Sequence, residues 1–315
     1  AERGVTSVVN MGTFEDLATF ERAHAAHSMI TRIYAVTPIA QWERLRDTVA
    51  KRGKGDEWLR IGGLKGFVDG SLGSHTAAMF APFTDSPKDS GFLVETEQDL
   101  YRWTSGGDKA GLQVIVHAIG DRAIDTQLGI FERVSEENGA KDRRFRIEHA
   151  QHIAPGDIPR FAKLGVVASM QPYHAIDDGR WAEKVIGHER AKTTYAFQSL
   201  LHSGATLAFG SDWFVAPPTP LDGIYAAVTR RTLDDRNPDG WIPDQKIGVE
   251  DALRAYTING AYASFDESNR GSLERGKLAD IVMIDHDLTT IPGPSIRDAR
   301  VLMTIVGGKV VYASH

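Results

Sequence analysis

The sequence predicts an α/β fold of the (β/α)8, or TIM-barrel, type with a small β-rich segment at its carboxyl end. Three observations lead to this prediction. Short apolar runs bounded by glycine alternate with helical stretches, which is typical of a parallel sheet covered by helices. Several of these runs end on a polar residue that can bind a metal. The last part of the chain instead reads as two strand-like stretches, at 272–285 and 301–313, with a Gly307-Gly308 turn in the second.

Seven strands are predicted in the main part of the chain. In order they are residues 4–11, 31–38, 64–71, 113–121, 144–151, 166–172 and 205–212. Helices are predicted at about 14–29, 39–52, 96–110, 121–138, 155–164, 190–203, 220–231 and 249–264. Thr13 is expected to cap the first helix, because Glu15 and Asp16 follow in its first turn. Residues 72–94 form a long loop of the kind that often covers a binding site.

A closed barrel of this type has eight strands, so one position is unfilled. An open doubly wound sheet could use seven, but no glycine-rich phosphate-binding sequence follows the first strand. Because the chain begins without Met, at what reads as a helix end, we expect the first barrel strand to lie upstream of Ala1. We assign residues 1–268 to the barrel domain and 269–315 to part of a small β-sandwich, whose strands need partners.

Composition limits the classes of function. The 315 residues, 42% hydrophobic and 25% charged, are enough for one large domain and a small annex. A net charge of −6 without a basic cluster argues against binding to nucleic acid. No apolar run reaches the roughly 18 residues of a membrane helix and no signal peptide is evident, so we expect no membrane association and a cytoplasmic protein. Because there is no cysteine, a zinc site would need nitrogen and oxygen ligands.

Four of the predicted strands carry side chains that could bind a metal near their ends. These residues are Lys65, His117, His149 and Asp212. In a barrel the carboxyl ends of the strands meet at one face, where the chemistry takes place. Each residue alone has an ordinary explanation, because strand-end histidines often lie hydrogen-bonded in a core, lysines extend to solvent and aspartates cap helices. Together they predict a metal-dependent hydrolase.

Several motifs in a fixed order resemble the amidohydrolase superfamily, most closely its amidohydrolase-3, or YtcJ-like, branch. They are KGFVDGSLGSHTAAM (65–79), VHAIGDRA (116–123), IEHAQ (147–151), QPYHAIDD (171–178), FGSDW (209–213) and GSLERGKLADIVMID (271–285). The resemblance implies one or two divalent metal ions at the barrel mouth. It implies Lys65 as a carboxylated bridging ligand, His117 and His149 as further ligands, and Asp212 as the residue that completes the site. The His-x-His pair of the family's first strand does not occur in this sequence.

The resemblance also implies a reaction. A metal-activated water would hydrolyse a C–N bond in a small amide, N-formyl or cyclic amide substrate, with Asp212 as the proton shuttle. Zinc is the first expectation for nitrogen and oxygen ligands, with iron and manganese as alternatives. Carbon dioxide is expected as a cofactor if Lys65 is carboxylated. His75, Tyr173 and His174 follow predicted strands in loops, so they are candidate substrate contacts.

Other interpretations remain open. The chain could be a non-catalytic fragment of such an enzyme, or the same scaffold could hydrolyse phosphotriesters or lactones. Two uncovered parallel sheet edges could pair with another copy, which would give a homo-oligomer. Glu148 is expected on the strand face opposite His149 and bound to a helix or otherwise structural, because side chains alternate along a strand. Trp213 could line the pocket beside Asp212 or could simply pack.

Overall fold

The computed structural model describes residues 1–314, and its main sheet has seven parallel strands that pair in chain order. The strands are β1 (Ser7–Met11), β2 (Arg32–Pro38), β3 (Leu59–Phe67), β4 (Gln113–Ala118), β5 (Arg146–His149), β6 (Val167–Met170) and β7 (Leu207–Phe209). The sheet curls as in an α/β barrel, and helices follow most of its strands. The predicted fold class is therefore confirmed, although β3 begins five residues earlier than the sequence suggested.

The helices that flank the sheet vary in length. They are α1 (Phe14–Ala25), α2 (Trp42–Arg52), α3 (Glu97–Lys109), α4 (Asp121–Glu137), α5 (Ile158–Leu164), α6 (Pro172–Asp178), α7 (Ala182–Ile186), α8 (His188–Ala191), α9 (Phe197–His202), α10 (Pro220–Thr229), α11 (Val249–Tyr256) and α12 (Ile258–Tyr262). Thr13 caps α1 as predicted, and Asp16 completes a capping box. Two predicted helices are interrupted in the structure: 190–203 is split between α8 and α9, and 249–264 is broken at Thr257. Within residues 1–314, no helix has both the length and the apolar surface that spanning a bilayer requires.

A buried carboxylate anchors the long loop between β3 and α3. Asp69 accepts hydrogen bonds from the backbone N–H groups of Ala78, Ile119 and Gly120, at 2.8 to 3.0 Å. The backbone approaches closely here, since a Cβ on Gly120 would lie 2.1 Å from the Ala78 carbonyl oxygen. The loop is therefore fixed to the start of α4, beside the end of β4.

The carboxyl-terminal segment forms a separate antiparallel sheet of three strands: β8 (Ile281–Ile284), β9 (Val301–Val306) and β10 (Lys309–Ala313). The β9–β10 turn is the predicted Gly307-Gly308 pair, and both glycines have positive φ. The predicted strand at 272–285 is real only over its last part. An ion pair between Arg32 Nε and Asp280 Oδ2, 2.8 Å long and almost fully buried, ties this segment to β2. The domain boundary at residue 268 stays a prediction.

Candidate active site

Three side chains converge at the carboxyl ends of the last barrel strands. His149 ends β5, His174 lies on α6 directly after β6, and Asp212 follows β7. One potential ligand atom of each residue lies within 4.8 Å of the others. We refer to His149, His174 and Asp212 as the ligand group. All three residues were predicted near the site, but His174 was predicted as a substrate contact in a loop, whereas it lies on helix α6 and within the ligand group.

The histidines of the ligand group are suited to bind a cation. Within residues 1–314, His149 Nδ1 and His174 Nε2 are buried and have no hydrogen-bond partner. A buried polar atom without a partner costs about 1–3 kcal/mol, so such atoms often mark a site for an ion or a water, or a functional role. Two imidazole nitrogens and a carboxylate oxygen form a donor set that zinc accepts, and iron and manganese also accept it. The residues present therefore fit a divalent metal.

His117 lies next to the ligand group but forms a hydrogen bond with a residue outside it. Its Nε2 is 2.9 Å from the Gly70 carbonyl oxygen and 3.5 Å from Asp69 Oδ1. A carbonyl oxygen only accepts, so Nε2 carries the proton and Nδ1 keeps a free lone pair. The His117 and His149 ring centroids are 4.5 Å apart. The bond from His117 Nε2 to Gly70 resembles the arrangement in which a metal-binding histidine is oriented through its other ring nitrogen.

Burial keeps the three histidines in the neutral form that binds metals. It lowers the pKa of His117 and of His174 to about 4 each. Burial also lowers the pKa of His149 well below its usual value, and the nearby charges of His117 and Lys65 add to the effect. By contrast, burial raises the pKa of Asp212, while the positive charge of Lys65 opposes that rise. At neutral pH the imidazoles are therefore available as ligands without losing a proton.

Lys65 lies on the same face of the sheet as His117 and is enclosed by other side chains. Its Nζ is 4.7 Å from the centroid of the Phe67 ring. Lys65 lies two residues before Phe67, which is in register with His117 and through it with Glu148, so Lys65 and Glu148 share one face of the sheet. Burial lowers the pKa of Lys65 to about 8, and the carboxylates of Glu148 and Asp212 act in the opposite direction. The Lys65 amine is thus neutral in part of the molecules near neutral pH.

Glu148 was predicted to face away from the site, because side chains alternate along a strand, but it faces the site. Strand register aligns Phe67 with His117, His117 with Glu148, and Glu148 with Ser169, so these four residues share one face, which we call the inner row. Glu148 forms an ion pair with Arg146 (2.6 Å) and accepts a hydrogen bond from the Ser169 hydroxyl (2.8 Å). The expectation that Glu148 binds a helix was wrong, whereas a structural role agrees with these contacts.

The backbone explains how His149 still reaches the site. Its φ is +72° and that of Ala150 is +45°, both in the left-handed region. At this turn the alternation of side chains along β5 ends. As a result, His149 and its neighbour Glu148 both face the centre of the site. Asp212 has φ +57°, also left-handed. It does not cap a helix, because α10 begins eight residues later with Thr219 at its N-cap.

The remaining predicted residues lie near the mouth but outside the ligand group. His75, in the long loop, pairs with Asp85 (2.9 Å), and its ring centroid lies 4.6 Å from that of Phe83 with the rings nearly perpendicular. Tyr173 is half-buried at the start of α6 and packs against the hydrophobic core. Their roles as substrate contacts stay predictions.

A polar network that no sequence motif predicted holds α6 in place. Asp178 accepts hydrogen bonds from the Tyr195 hydroxyl (2.6 Å) and from Gln151 Nε2 (2.8 Å). Burial raises the pKa of Asp178 to about 6, against the effect of these two bonds. Asp178 follows His174 by one helical turn, and that spacing was the only signal in the sequence. The network links the loop after β5 to α6 and so fixes His174 relative to His149.

Comparison with known proteins agrees with this picture. "Protein LONG AFTER FAR-RED 3" of Arabidopsis thaliana is 43% identical over 98% of this chain and 55% of its own length. The "N-substituted formamide deformylase" of Arthrobacter pascens is 29% identical over 81% of this chain and 46% of its own length. A crystal structure of an uncharacterized metal-dependent hydrolase from Pyrococcus furiosus superposes with a TM-score of 0.76 and 32% identity, covering 87% of this chain and 55% of that one.

The chain spans about half the length of the curated relatives it matches. The sequence profile of the amidohydrolase family, in its amidohydrolase-3 branch, matches residues 1–312. Together with the metal-dependent hydrolase neighbour and the metal-competent ligand group, this match confirms the resemblance found in the sequence. The chain belongs to the amidohydrolase family of metal-dependent hydrolases.

Proposed function

We propose that this chain carries the metal-binding and proton-transferring side of a catalytic centre that hydrolyses C–N bonds in small amide, N-formyl or cyclic amide substrates. The observation that carries the proposal is the ligand group, with two buried imidazole nitrogens that have no partner among residues 1–314. The name of the Arthrobacter pascens relative, an N-substituted formamide deformylase, supports a C–N bond as the target.

His149, His174 and Asp212 would hold a divalent metal, for which zinc is our first choice. His117 and Lys65 lie beside these residues and are candidates for a second ion. When bound, such an ion polarises a carbonyl group and lowers the pKa of water. The neutral imidazoles fit this role, because protonated rings would compete with the metal for the same lone pairs.

Asp212 would move the proton. Asp212 is an exposed residue, yet desolvation by its neighbours raises its pKa, so it accepts a proton more readily than a fully solvated aspartate. Asp212 would accept a proton from water as the water oxygen bonds to the carbonyl carbon. It would then donate that proton to the nitrogen as the C–N bond breaks, so that the amine leaves neutral.

Lys65 would react with carbon dioxide to become a carbamate. Burial favours its neutral amine, whose Nζ can bond to the carbon of carbon dioxide and release a proton. The test is ¹³C NMR of the chain equilibrated with ¹³C-bicarbonate. A carbamate signal that is absent from Lys65→Met supports the assignment, whereas no difference between the two proteins contradicts it.

The test of the reaction is a substrate panel. The chain, loaded separately with zinc, iron or manganese, would be assayed by chromatography with formamides, acetamides, a cyclic amide, a lactone and a phosphotriester. We expect amide turnover that falls by about 10²–10⁴ in Asp212→Asn, the usual contribution of a positioned acid–base group. His188→Ala, a surface histidine paired with Glu183, is the matched control and should stay active. Turnover of the lactone or phosphotriester alone would contradict a C–N bond, and a metal-loaded chain without any turnover would contradict catalysis.

A further inference from the structure

A cavity lies at the opposite end of the main sheet from the ligand group. Its volume is about 200 Å³, and it lies at the amino ends of β2 to β5, where Tyr34, Gly62 and Gln113 line it. These four strands are inner members of the sheet, each paired on both sides. Because β4 alone has six residues, the cavity lies about 15 Å from the ligand group. It is therefore separate from the candidate active site and from the open edges of the sheet.

Most of the charged side chains in the cavity wall are paired. These side chains are Lys54, Asp108, Lys141, Asp142 and Arg143. The Asp108 carboxylate lies 3.0 Å from Lys141 Nζ and 3.1 Å from Arg143 Nε. Asp142 pairs with Arg144, at 2.8 Å. Three cations and two carboxylates thus line the cavity, and the excess positive charge is that of Lys54.

Lys54 is held at the cavity without a carboxylate partner. Among residues 1–314, its Nζ donates only to the Gly111 carbonyl oxygen, at 3.1 Å. Its Cδ and Cε atoms pack 3.5 Å from the position that a Cβ on Gly62 would occupy. Burial lowers the pKa of Lys54, and the charge of Arg60 adds to this effect. An anion in the cavity would oppose both effects, because it would stabilise the ammonium form.

Two further polar groups suit a ligand that both donates and accepts hydrogen bonds. Gln113 is 4% exposed, and its Nε2 donates to the carbonyl oxygens of Arg144 and Ala263, both at 2.8 Å. Its Oε1 has no partner within residues 1–314 and can accept a hydrogen bond. The Tyr34 hydroxyl lies against Gly63, 3.1 Å from the position of a Cβ there. Burial raises the pKa of Tyr34 to about 12, so this hydroxyl keeps its proton and can donate.

Apolar side chains complete the wall. Leu112 is 4% exposed, and the guanidinium carbon of Arg144 lies 4.4 Å from the centroid of the Phe265 ring. Ligand sites combine apolar walls of this kind with a few polar groups that fix the orientation of the ligand. A volume of about 200 Å³ holds about seven waters or one small organic molecule.

We propose that this cavity binds a small α-hydroxy monocarboxylate with an apolar side chain. Its carboxylate would pair with Lys54 and accept a hydrogen bond from the Tyr34 hydroxyl. Its own hydroxyl would donate to Gln113 Oε1, and its side chain would pack against Leu112 and Phe265. A phosphate dianion suits the cavity less well, because Lys141 and Arg143 already share Asp108.

The first experiment compares three related probes. Calorimetry on the metal-free chain at neutral pH would use mandelate, phenylacetate, which lacks the hydroxyl, and 1-phenylethane-1,2-diol, which lacks the carboxylate. We expect mandelate to bind about tenfold more tightly than the diol and about threefold more tightly than phenylacetate. The larger factor belongs to the carboxylate, because hydrogen bonds to charged groups contribute more than those between neutral groups. Mandelate that fails to bind, or that binds no better than either companion, would overturn the proposal.

Variants test the contacts. Lys54→Met should lower the affinity for mandelate about tenfold, whereas Lys54→Arg, which keeps the charge, should retain most of it. Tyr34→Phe should lower the affinity about threefold. Lys51→Met is the matched control, because Lys51 lies in the last turn of α2 and does not line the cavity. Equal affinities for mandelate in Lys54→Met and Lys51→Met would overturn the proposal, and so would an equal loss in Lys54→Met and Lys54→Arg.

A last variant separates this cavity from the candidate active site. His174→Ala should bind mandelate as tightly as the unaltered chain, because His174 lies at the other end of the sheet. Binding that is lost in His174→Ala and kept in Lys54→Met would place mandelate at the ligand group and overturn the proposal. Because every measurement uses the metal-free chain, the result does not depend on the proposed function.

Discussion

Replacing His174 with alanine should weaken zinc binding more than replacing His117. His174 supplies one of three ligand atoms that lie within 4.8 Å of each other, and its buried Nε2 has no other partner. His117 lies outside this group and already donates its Nε2 proton to Gly70. The substitution at His174 leaves only His149 and Asp212 as a pair, and two ligands hold zinc poorly.

The expected size of the effect follows from the position of each histidine. Residues that only orient a ligand cost 10–100-fold in metal affinity when they are replaced, so a direct ligand should cost at least about 100-fold. That factor corresponds to about 2.7 kcal/mol, or two tenfold steps. His117→Ala, which acts beside the group, should cost about tenfold or less. His188→Ala, at the surface of α8, should change nothing.

The assay is a zinc titration of each metal-free variant in competition with a chromophoric chelator at neutral pH. Elemental analysis of the dialysed protein gives the number of ions per chain. The reasoning is refuted if His174→Ala binds zinc within about threefold of the unaltered chain while His117→Ala or Lys65→Met loses it. In that case Lys65, His117 and His149, three of the four residues that the resemblance implies, would hold the ion without His174.

Three further predictions concern stability. Glu148→Ala should lower the free energy of unfolding by about 3–5 kcal/mol, because it leaves the Arg146 charge buried without its partner. Urea denaturation measures this, and Glu132→Ala, at a more exposed pair with Lys163, should cost about 1 kcal/mol or less. Zinc at about one hundred times its Kd should stabilise the chain by about 2.7 kcal/mol, an effect that a chelator reverses and His149→Ala lacks. Burial raises the pKa of Asp178 from 3.8 to about 6, so the folded chain holds this proton more tightly than the unfolded chain. The free energy of unfolding should therefore fall by up to about 3 kcal/mol as pH rises between these values, and Asp178→Asn should abolish that fall.

Each stability prediction has an outcome that contradicts it. Equal urea midpoints for Glu148→Ala and Glu132→Ala would mean that the Arg146–Glu148 pair adds nothing in the folded chain. Zinc stabilisation that survives in His149→Ala would place the ion elsewhere. A pH profile that Asp178→Asn leaves unchanged would show that the Asp178 carboxyl titrates normally in the folded chain.

The barrel strands could be predicted because each is a short apolar run that ends near glycine or proline. β3 was the exception at its start, because the charged Arg60 within Leu59–Phe67 interrupts the apolar run. Helix boundaries were less predictable. No glycine or proline marks Thr257, where α11 ends, and the side chain of Asn259 donates to the Leu207 carbonyl at 2.9 Å. A contact between distant parts of the chain accompanies the break, and no local pattern shows such a contact.

The candidate site was predictable in its residues but not in their grouping. Lys65, His117, His149 and Asp212 follow strands, so a parallel sheet brings them to one end whatever the details. His174 differs because its position depends on how α6 packs. Asp178 on that helix bonds to Tyr195 and Gln151, which lie on other segments. Whether His174 faces substrate or metal therefore depends on long-range contacts that the sequence does not display.

The site has two layers that differ in how their polar groups are paired. The inner row, with Arg146 and Lys65 beside it, contains a charge pair, because Glu148 bonds both Arg146 and Ser169, although Arg146 Nε and Nη1 have no partner among residues 1–314. The ligand group contains no such charge pair, and two of its nitrogens have no partner among residues 1–314. His149 and Asp212 reach that group only through left-handed backbone, which costs about 1–2 kcal/mol per residue. A fold that needed these side chains only for packing would gain nothing from such strain and from unpaired nitrogens together. Strain of this kind is characteristic of functional sites, and a bound cation would offset both costs.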